Sequence, residues 1–175
     1  MEKSVIRNNL LKVRKNKFFI KHDQKKIVNF ILDQKINIIG GYFPINHEFN
    51  CLDILNQLST KVFISLPIMK KHNQMDFYTW KNSDPLKINN FGIPEPVNFN
   101  SVYPDILLVP LVGFDKNLNR LGYGGGYYDR YIKKIISIKK ILTIGLAFSF
   151  QEIKKVPIDS YDQKLNFIYT EKGFL

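Results

Sequence analysis

Two hydrophobic periods alternate along the chain. Over residues 3–16, Ile6, Leu10 and Val13 fall on one face of a helix, with Leu11 beside them. Over residues 23–34, Ile27, Phe30 and Ile31 repeat the pattern, and Asp23 stands where an N-cap belongs. A continuous apolar run, INIIGGYF, marks a strand over residues 36–43, which Pro44 stops; Gly40 and Gly41 near its end imply close approach of another backbone or a ligand. Residues 50–58 turn Leu52, Leu55 and Leu58 inward as a helix, and KVFISLP at 61–67 is a further strand. MDFYTW at 75–80 alternates as a half-exposed strand does. Residues 84–96 are rich in Pro, Asn and Gly and predict a loop ending in GIPEP, stiffened by Pro94 and Pro96. Ile106 to Val109 form a short apolar run suited to a strand buried on both faces, and Pro110 ends its ladder. After Gly126 a helix carries Tyr128, Tyr131, Ile132 and Ile135 at helical spacing; strands follow at 141–148 and 164–170. Strands alternating with helices predict one α/β domain over residues 1–175, a mainly parallel open sheet flanked by helices, with the strand-rich middle adding an antiparallel edge.

The chemistry concentrates between the 106–109 strand and the helix after it. RLGYGGGYYDR, residues 120–130, holds Gly122, Gly124, Gly125 and Gly126 between Arg120 and Asp129. A glycine-rich turn opening a helix presents free N–H groups and a partial positive charge to an anion, and open α/β sheets bind ligands beyond the carboxyl ends of their strands. No Gly-Lys-Ser/Thr follows, and the glycines come too late after the strand for a dinucleotide fingerprint. A phosphate or nucleotide site is one reading; a tight loop needing positive φ for packing alone is the other. Glu48, in the turn PINHEF, lies past the end of the 36–43 strand, either as a ligand group or as an exposed loop acid, with His47 beside it. Glu95 is left equally open, held toward a ligand or exposed. Lys3, Arg7 and Arg14 form a basic stripe on the first helix, which by itself reads as a solvated face.

Composition changes the picture modestly. The 175 residues are 45% hydrophobic, enough for one core that buries roughly 70% of the unfolded surface. The lone cysteine, Cys51, has no partner for an intramolecular disulfide and fits a reducing compartment. The N-terminal stretch lacks the apolar run of a signal peptide, and no stretch reaches membrane-span length, so a cytoplasmic protein is expected. A net charge of +11 fits nucleic acid or a small anion, but the lysines are dispersed rather than clustered.

PLVGFDKNLNRLGYGGGYYDRYI resembles the signature of the 5-formyltetrahydrofolate cyclo-ligase (5,10-methenyltetrahydrofolate synthetase) family, and the likeness extends to Lys3-x-x-x-Arg7, YFPINHEF, MDF, GIPEP and VPIDSYD. The resemblance implies ATP-dependent cyclisation of 5-formyltetrahydrofolate to 5,10-methenyltetrahydrofolate, with release of ADP and phosphate and with Mg²⁺ required. It implies ATP binding by Lys3, Arg7, Arg120, Leu121, Gly122, Tyr123, Gly124, Gly125, Gly126, Tyr127 and Tyr128, with Arg120 also catalytic. Folate contacts fall to Phe43, Glu48, Tyr123, Gly124, Gly125, Gly126 and Tyr127. Mg²⁺ falls to Asp129 and Asp162, Asp159 being the neighbouring alternative. The partners implied are small molecules, with no nucleic acid and no membrane, acting on a monomer. Three positions depart from the family pattern: Leu118 replaces a usual Gly and could tilt the loop, Cys51 replaces a common Thr and costs a possible cap, and Gly125 is Lys in some relatives. Two other readings remain: a basic nucleic-acid-binding module, which would show salt-dependent binding to DNA or RNA without ATP affinity, and a sugar-phosphate isomerase on a similar sheet, which would not bind Mg·ATP.

Overall fold

A computed structural model describes residues 2–17, 23–97 and 100–175. Its elements run α1 (Lys3–Lys17), α2 (Lys25–Asp33), β1 (Ile38–Gly40), α3 (Leu52–Leu58), β2 (Phe63–Lys70), β3 (Gln74–Thr79), β4 (Leu86–Ile88), β5 (Pro94–Pro96), β6 (Ser101–Val102), β7 (Ile106–Pro110), β8 (Gly113–Phe114), β9 (Arg120–Leu121), α4 (Tyr127–Ile136), β10 (Leu142–Leu146), β11 (Phe167–Thr170) and β12 (Gly173–Phe174). The main sheet is ordered β12-β11-β10-β7-β1-β2-β3-β6. Its five central strands, β11, β10, β7, β1 and β2, are parallel, while β3 pairs antiparallel with β2, β6 antiparallel with β3, and β12 at the other edge antiparallel with β11. The α/β class and the antiparallel edge are therefore as the periodicity predicts.

The continuous apolar runs are explained by cover on both faces. On one face, Ile39, Ile64, Leu66, Ile106, Leu108 and Ile144 pack with Ile27 and Ile31 of α2 and Ile54, Leu55 and Leu58 of α3. On the other, Leu107, Val109, Phe77 and Ile168 pack with Tyr131, Ile132 and Ile135 of α4. Successive β7 residues thus alternate between two cores, which leaves no position for a polar side chain. A third cluster joins Leu10 of α1 to Val112, Leu121 and Val156, so that α1 lies against the β8–β9 hairpin and the loop that follows β10.

Several local expectations change. The first core strand shrinks to Ile38–Gly40, although Gly41 still donates to the Ser65 carbonyl at 2.9 Å. A Cβ on Gly41 would meet Leu55 and one on Gly40 would meet Pro104 and Phe77, so side chains, not a ligand, demand these glycines. Gln24 rather than Asp23 occupies the N-cap position of α2, yet the Asp23 carboxylate accepts from the Lys25 N–H at 2.9 Å. The expected loop 84–96 contains the β4–β5 hairpin, with Ile88 opposite Pro94 and Leu86 opposite Pro96; prolines are tolerated because this sheet has only two strands, each with a free edge. The β8–β9 hairpin was not predicted, its strands being too short to show a period.

Candidate active site

Among the five parallel strands, taken in chain order, the spatial order is 2-1-3-4-5, so the winding reverses between β1 and β7. A crevice beyond the carboxyl ends of strands at such a reversal is where open α/β sheets place ligands. Here Tyr42 and Phe43 after β1, and Pro110 at the end of β7, border a cavity of about 510 Å³. The glycine-rich turn, the N-terminal parts of α1 and α4, and the β4–β5 hairpin complete its wall.

One part of the wall gathers the glycines and the cations. Gly126 sits at the N-cap of α4 with φ 68°, and Gly124 has φ 101°, a conformation that side-chain-bearing residues rarely adopt. The Arg7 Nε donates to the Gly122 carbonyl at 2.8 Å, and a Cβ on Gly124 would sit 3.3 Å from the Arg7 guanidinium. Arg120 is buried and its Nη2 donates to Asp129 Oδ1 at 2.6 Å, while its Nε–H has no hydrogen-bond partner. A buried N–H without a partner carries a desolvation cost, and the guanidinium that bears it belongs to a residue lining the cavity. Lys3 Nζ bridges Asp159 Oδ2 at 2.7 Å and Asp162 Oδ2 at 2.5 Å. Burial opposes the Lys3 charge, but the hydrogen bonds to both carboxylates outweigh it and raise its pKa; burial likewise opposes ionisation of Asp162, and the Lys3 contact and the Asp159 N–H hold its pKa down. Three acids, Asp129, Asp159 and Asp162, therefore border the cavity. Among the described residues no three His, Cys, Asp or Glu side chains converge tightly enough to hold a metal alone.

Apolar groups dominate the rest: Tyr42, Phe43, Ile45, Pro67, Met69, Phe91, Ile93 and Pro94. Among them Glu48 is buried, and its Oε2 accepts from the Ile45 N–H at 2.8 Å. Burial pushes its pKa up to about 7, against the Ile45 N–H, the Arg14 charge and the Tyr123 hydroxyl, which pull it down. The turn carrying it places Asn46 and His47 at φ 48° and 60°. Glu48 is therefore not the exposed loop acid of the alternative reading.

Every residue to which the family resemblance gives a role borders this one cavity, from Lys3 and Arg7 through Phe43 and Glu48 to the 120–129 stretch and Asp162. Arg14 departs from its expected place: far from lying on a solvated face it is 1% exposed. Glu95 is buried too, accepting from the Met69 N–H at 3.3 Å and the Asn89 amide at 3.2 Å, and so serves the hairpin. Leu118 adopts φ 65°, as the usual Gly would, and its turn is held by Asp115, which accepts from the N–H groups of Asn117, Asn119 and Val156. Cys51 supplies no cap to α3; its thiol donates to the Tyr42 carbonyl at 2.8 Å, and the Asn50 side chain accepts from the Leu52 N–H instead. The apolar wall from β2 and the hairpin, above all Met69, Phe91 and Ile93, was missed; nothing in an isolated apolar residue of a strand or turn signals a cavity.

Fold and site together define an open α/β enzyme with a cleft at its winding reversal, lined by glycines and cations at one end and apolar around a buried acid at the other. The chain belongs to the 5-formyltetrahydrofolate cyclo-ligase family, whose pattern matches residues 1–171. It is 32% identical to a 5-formyltetrahydrofolate cyclo-ligase of Haemophilus influenzae, with 91% of this chain and 92% of that one covered. It is 31% identical to the Mycoplasma pneumoniae cyclo-ligase over 98% of this chain and all of that one. The solved structure of the Aquifex aeolicus 5,10-methenyltetrahydrofolate synthetase superposes with a TM-score of 0.80 at 29% identity, covering 99% and 92% of the two chains. Among the described residues no helix is long and apolar enough to cross a membrane.

Proposed function

We propose that residues 1–175 act as a single cyclo-ligase domain, converting 5-formyltetrahydrofolate and ATP into 5,10-methenyltetrahydrofolate, ADP and phosphate. The observation that carries the residue assignment is one cavity lined by Arg120 and the glycine turn at one end and by a buried acid, Glu48, in its apolar part. The glycine turn and the α4 N-terminus cradle the phosphates, joined by Lys3, Arg7 and Arg120. Phe43 and the tyrosines Tyr123 and Tyr127 border the folate, and the Glu48 carboxylate accepts from the amino and ring N–H groups of the pterin. The formyl oxygen attacks the γ-phosphorus as the bond to the β-phosphate oxygen breaks and ADP leaves. Nitrogen-10 then adds to the activated formyl carbon, phosphate departs, nitrogen-10 gives up its proton, and the five-membered ring is closed. Such phosphoryl transfer needs positioning and charge stabilisation more than covalent help from the protein. Arg120 supplies a fixed, planar charge to the transferred phosphoryl group.

Asp129 and Asp162 would hold Mg²⁺. Hard carboxylate oxygens suit it, and one or two carboxylates completed by substrate phosphates is its usual shell, which matches acids that line the cavity without forming a cage. When bound, the ion would neutralise charge on the nucleotide phosphates. To free Asp162, Lys3 exchanges its carboxylate partners for phosphate oxygens. The reading places the reaction in the cytoplasm on a monomer, with neither nucleic acid nor membrane as partner; Cys51, buried and hydrogen-bonded as a thiol, suits a reducing compartment.

The test is turnover. Protein, 5-formyltetrahydrofolate, ATP and Mg²⁺ are combined and the near-ultraviolet band of the methenyl product is followed. Growth of the band with all components, and none when ATP or Mg²⁺ is omitted, is expected. Folded protein that gives no band would overturn the reading.

A further inference from the structure

Arg14 is a guanidinium 1% exposed that, among the described residues, makes no ion pair within 4 Å. A buried charge without a counter-ion is costly unless its hydrogen bonds are filled. Its partners come from three separate loops. Nε donates to the Asn46 carbonyl at 3.0 Å, Nη1 to the Leu111 carbonyl at 3.0 Å, and Nη2 to the Tyr123 hydroxyl. Asn46 belongs to the strained turn that presents Glu48, Leu111 follows the end of β7, and Tyr123 belongs to the glycine turn. The guanidinium also lies 5.6 Å from the centre of the Tyr123 ring. Because Arg14 has no lone pair to offer, the Tyr123 oxygen must accept from it, which leaves the phenol proton free to turn to the neighbouring Glu48 carboxylate.

We infer that Arg14 is a positioning residue for the folate half of the site: through Tyr123 and the Asn46 carbonyl it fixes the Glu48 carboxylate relative to the glycine turn, and so sets the pterin ring against the phosphates. This rests on the reading of Glu48 as the pterin acceptor. The groups facing Glu48 are Arg14 from α1, Tyr42 from the end of β1, Cys51 ahead of α3, Tyr123 from the glycine turn and Tyr128 from α4. Arg14 is the cation among them; the phenols and the thiol are neutral at physiological pH, burial pushing each of them up. The single charge that favours an ionised Glu48 is thus the one that also orients Tyr123.

The experiment compares Arg14→Met, Arg14→Lys, Tyr123→Phe and Glu48→Gln, with Arg14→Met also made in the Glu48→Gln background. Steady-state constants for each substrate are measured across pH 5.5–9 (roughly the range in which a carboxyl of pKa near 7 titrates), and 5-formyltetrahydrofolate binding without ATP is followed by calorimetry. Arg14→Met should raise the folate KM and dissociation constant by about tenfold or more, the worth of a hydrogen-bonded charge, with the ATP KM little changed. The acid limb of kcat/KM for folate should move about one unit to higher pH, since removing a neighbouring cation favours the protonated acid. Arg14→Lys should keep the limb near its original pH while folate binding weakens, because the charge survives and the three-way bonding does not. In the Glu48→Gln background Arg14→Met should add little to the loss of folate affinity. Unchanged folate affinity and pH profile in Arg14→Met would overturn the proposal, as would a full Arg14 effect persisting in the Glu48→Gln background. In that second case Glu48→Gln still weakens folate binding by itself, so the Glu48 reading survives; if Glu48→Gln binds folate normally, both fall. Should Arg14→Met fail to fold, Tyr123→Phe and Arg14→Lys decide: parent-like folate constants in both sink the proposal.

Discussion

Glu48 costs stability at the position where the proposed folate contact needs an acid. Its carboxyl holds its proton up to about pH 7 in the folded chain, against an ordinary 4.5. The folded state therefore binds that proton more tightly than the unfolded one, and this contribution is complete below 4.5 and is lost as pH rises through 7. Glu48→Gln is neutral at every pH and keeps an oxygen for the Ile45 N–H. It should be more stable than the parent at pH 8 by on the order of 2 kcal/mol, with the gap narrowing towards pH 5. Urea unfolding at the two pH values measures this. The same variant should bind folate poorly with ATP affinity near the parent's. In the parent, kcat/KM for folate at saturating ATP should fall on an acid limb centred near pH 7. A limb at pH 5 or lower would mean that the apolar wall does not desolvate this acid. Arg120 makes the complementary case on the phosphate side. Lysine keeps the charge but not the fork that joins Asp129 while leaving Nε free. Arg120→Lys should lower kcat by about a hundredfold, the usual scale for removing one donor to developing charge, and a loss confined to KM would remove Arg120 from the transferred phosphate.

At the scale of elements, the glycine turn is where sequence and structure agree most closely, because strand, turn and helix start are contiguous there and each residue type has one job. Gly124 tests this. Alanine at φ 101° is strained and its Cβ would press on Arg7, so Gly124→Ala should cost about 1–2 kcal/mol of stability and about a hundredfold in kcat/KM for ATP. Gly173→Ala is the control: its φ of 117° is just as unfavourable, but no atom lies within 4 Å and it belongs to the β12 edge. It should lose similar stability and keep its activity; equal activity losses would mean that stability alone explains the glycine turn. The rest of the site was less legible. Lys3, Arg7 and Arg14 share a helix face in the sequence, but a shared face does not say what covers it. The carbonyls of Asn46 and Leu111 and the Tyr123 hydroxyl that enclose Arg14 come from loops far along the chain. Pro94 and Pro96 concealed β5, because a proline argues against a strand unless its N–H side faces away from the ladder. Gly40 and Gly41 imply close approach of another backbone or a ligand, but it is the side chains of Leu55, Phe77 and Pro104 that come close.

At the scale of the whole molecule the charge of +11 has to be reconciled with a small-molecule site. Positive groups that face no acid repel one another in the folded chain, and at the cavity Arg7, among the described residues, bonds a carbonyl oxygen and no acid. A bound triphosphate relieves this locally, and its binding adds stability by mass action. Mg·ATP at a hundred times its dissociation constant contributes about 2.7 kcal/mol, which for a domain of this size raises the Tm by roughly 5–10 °C. General screening of a basic surface would also raise the Tm, so the comparison that decides is sulfate at equal ionic strength. Sulfate should give a smaller shift that does not saturate. Mg·ATP should give a saturable one that depends on the ion, and Asp129→Asn should remove the dependence on Mg²⁺ while leaving a weaker ATP effect through Lys3, Arg7 and Arg120. Equal shifts from sulfate and Mg·ATP would mean that the charge acts over the whole surface and that the glycine turn is not a nucleotide site. A saturable shift with no need for Asp129 would instead move the Mg²⁺ to Asp162 and Asp159, the two acids that Lys3 holds together.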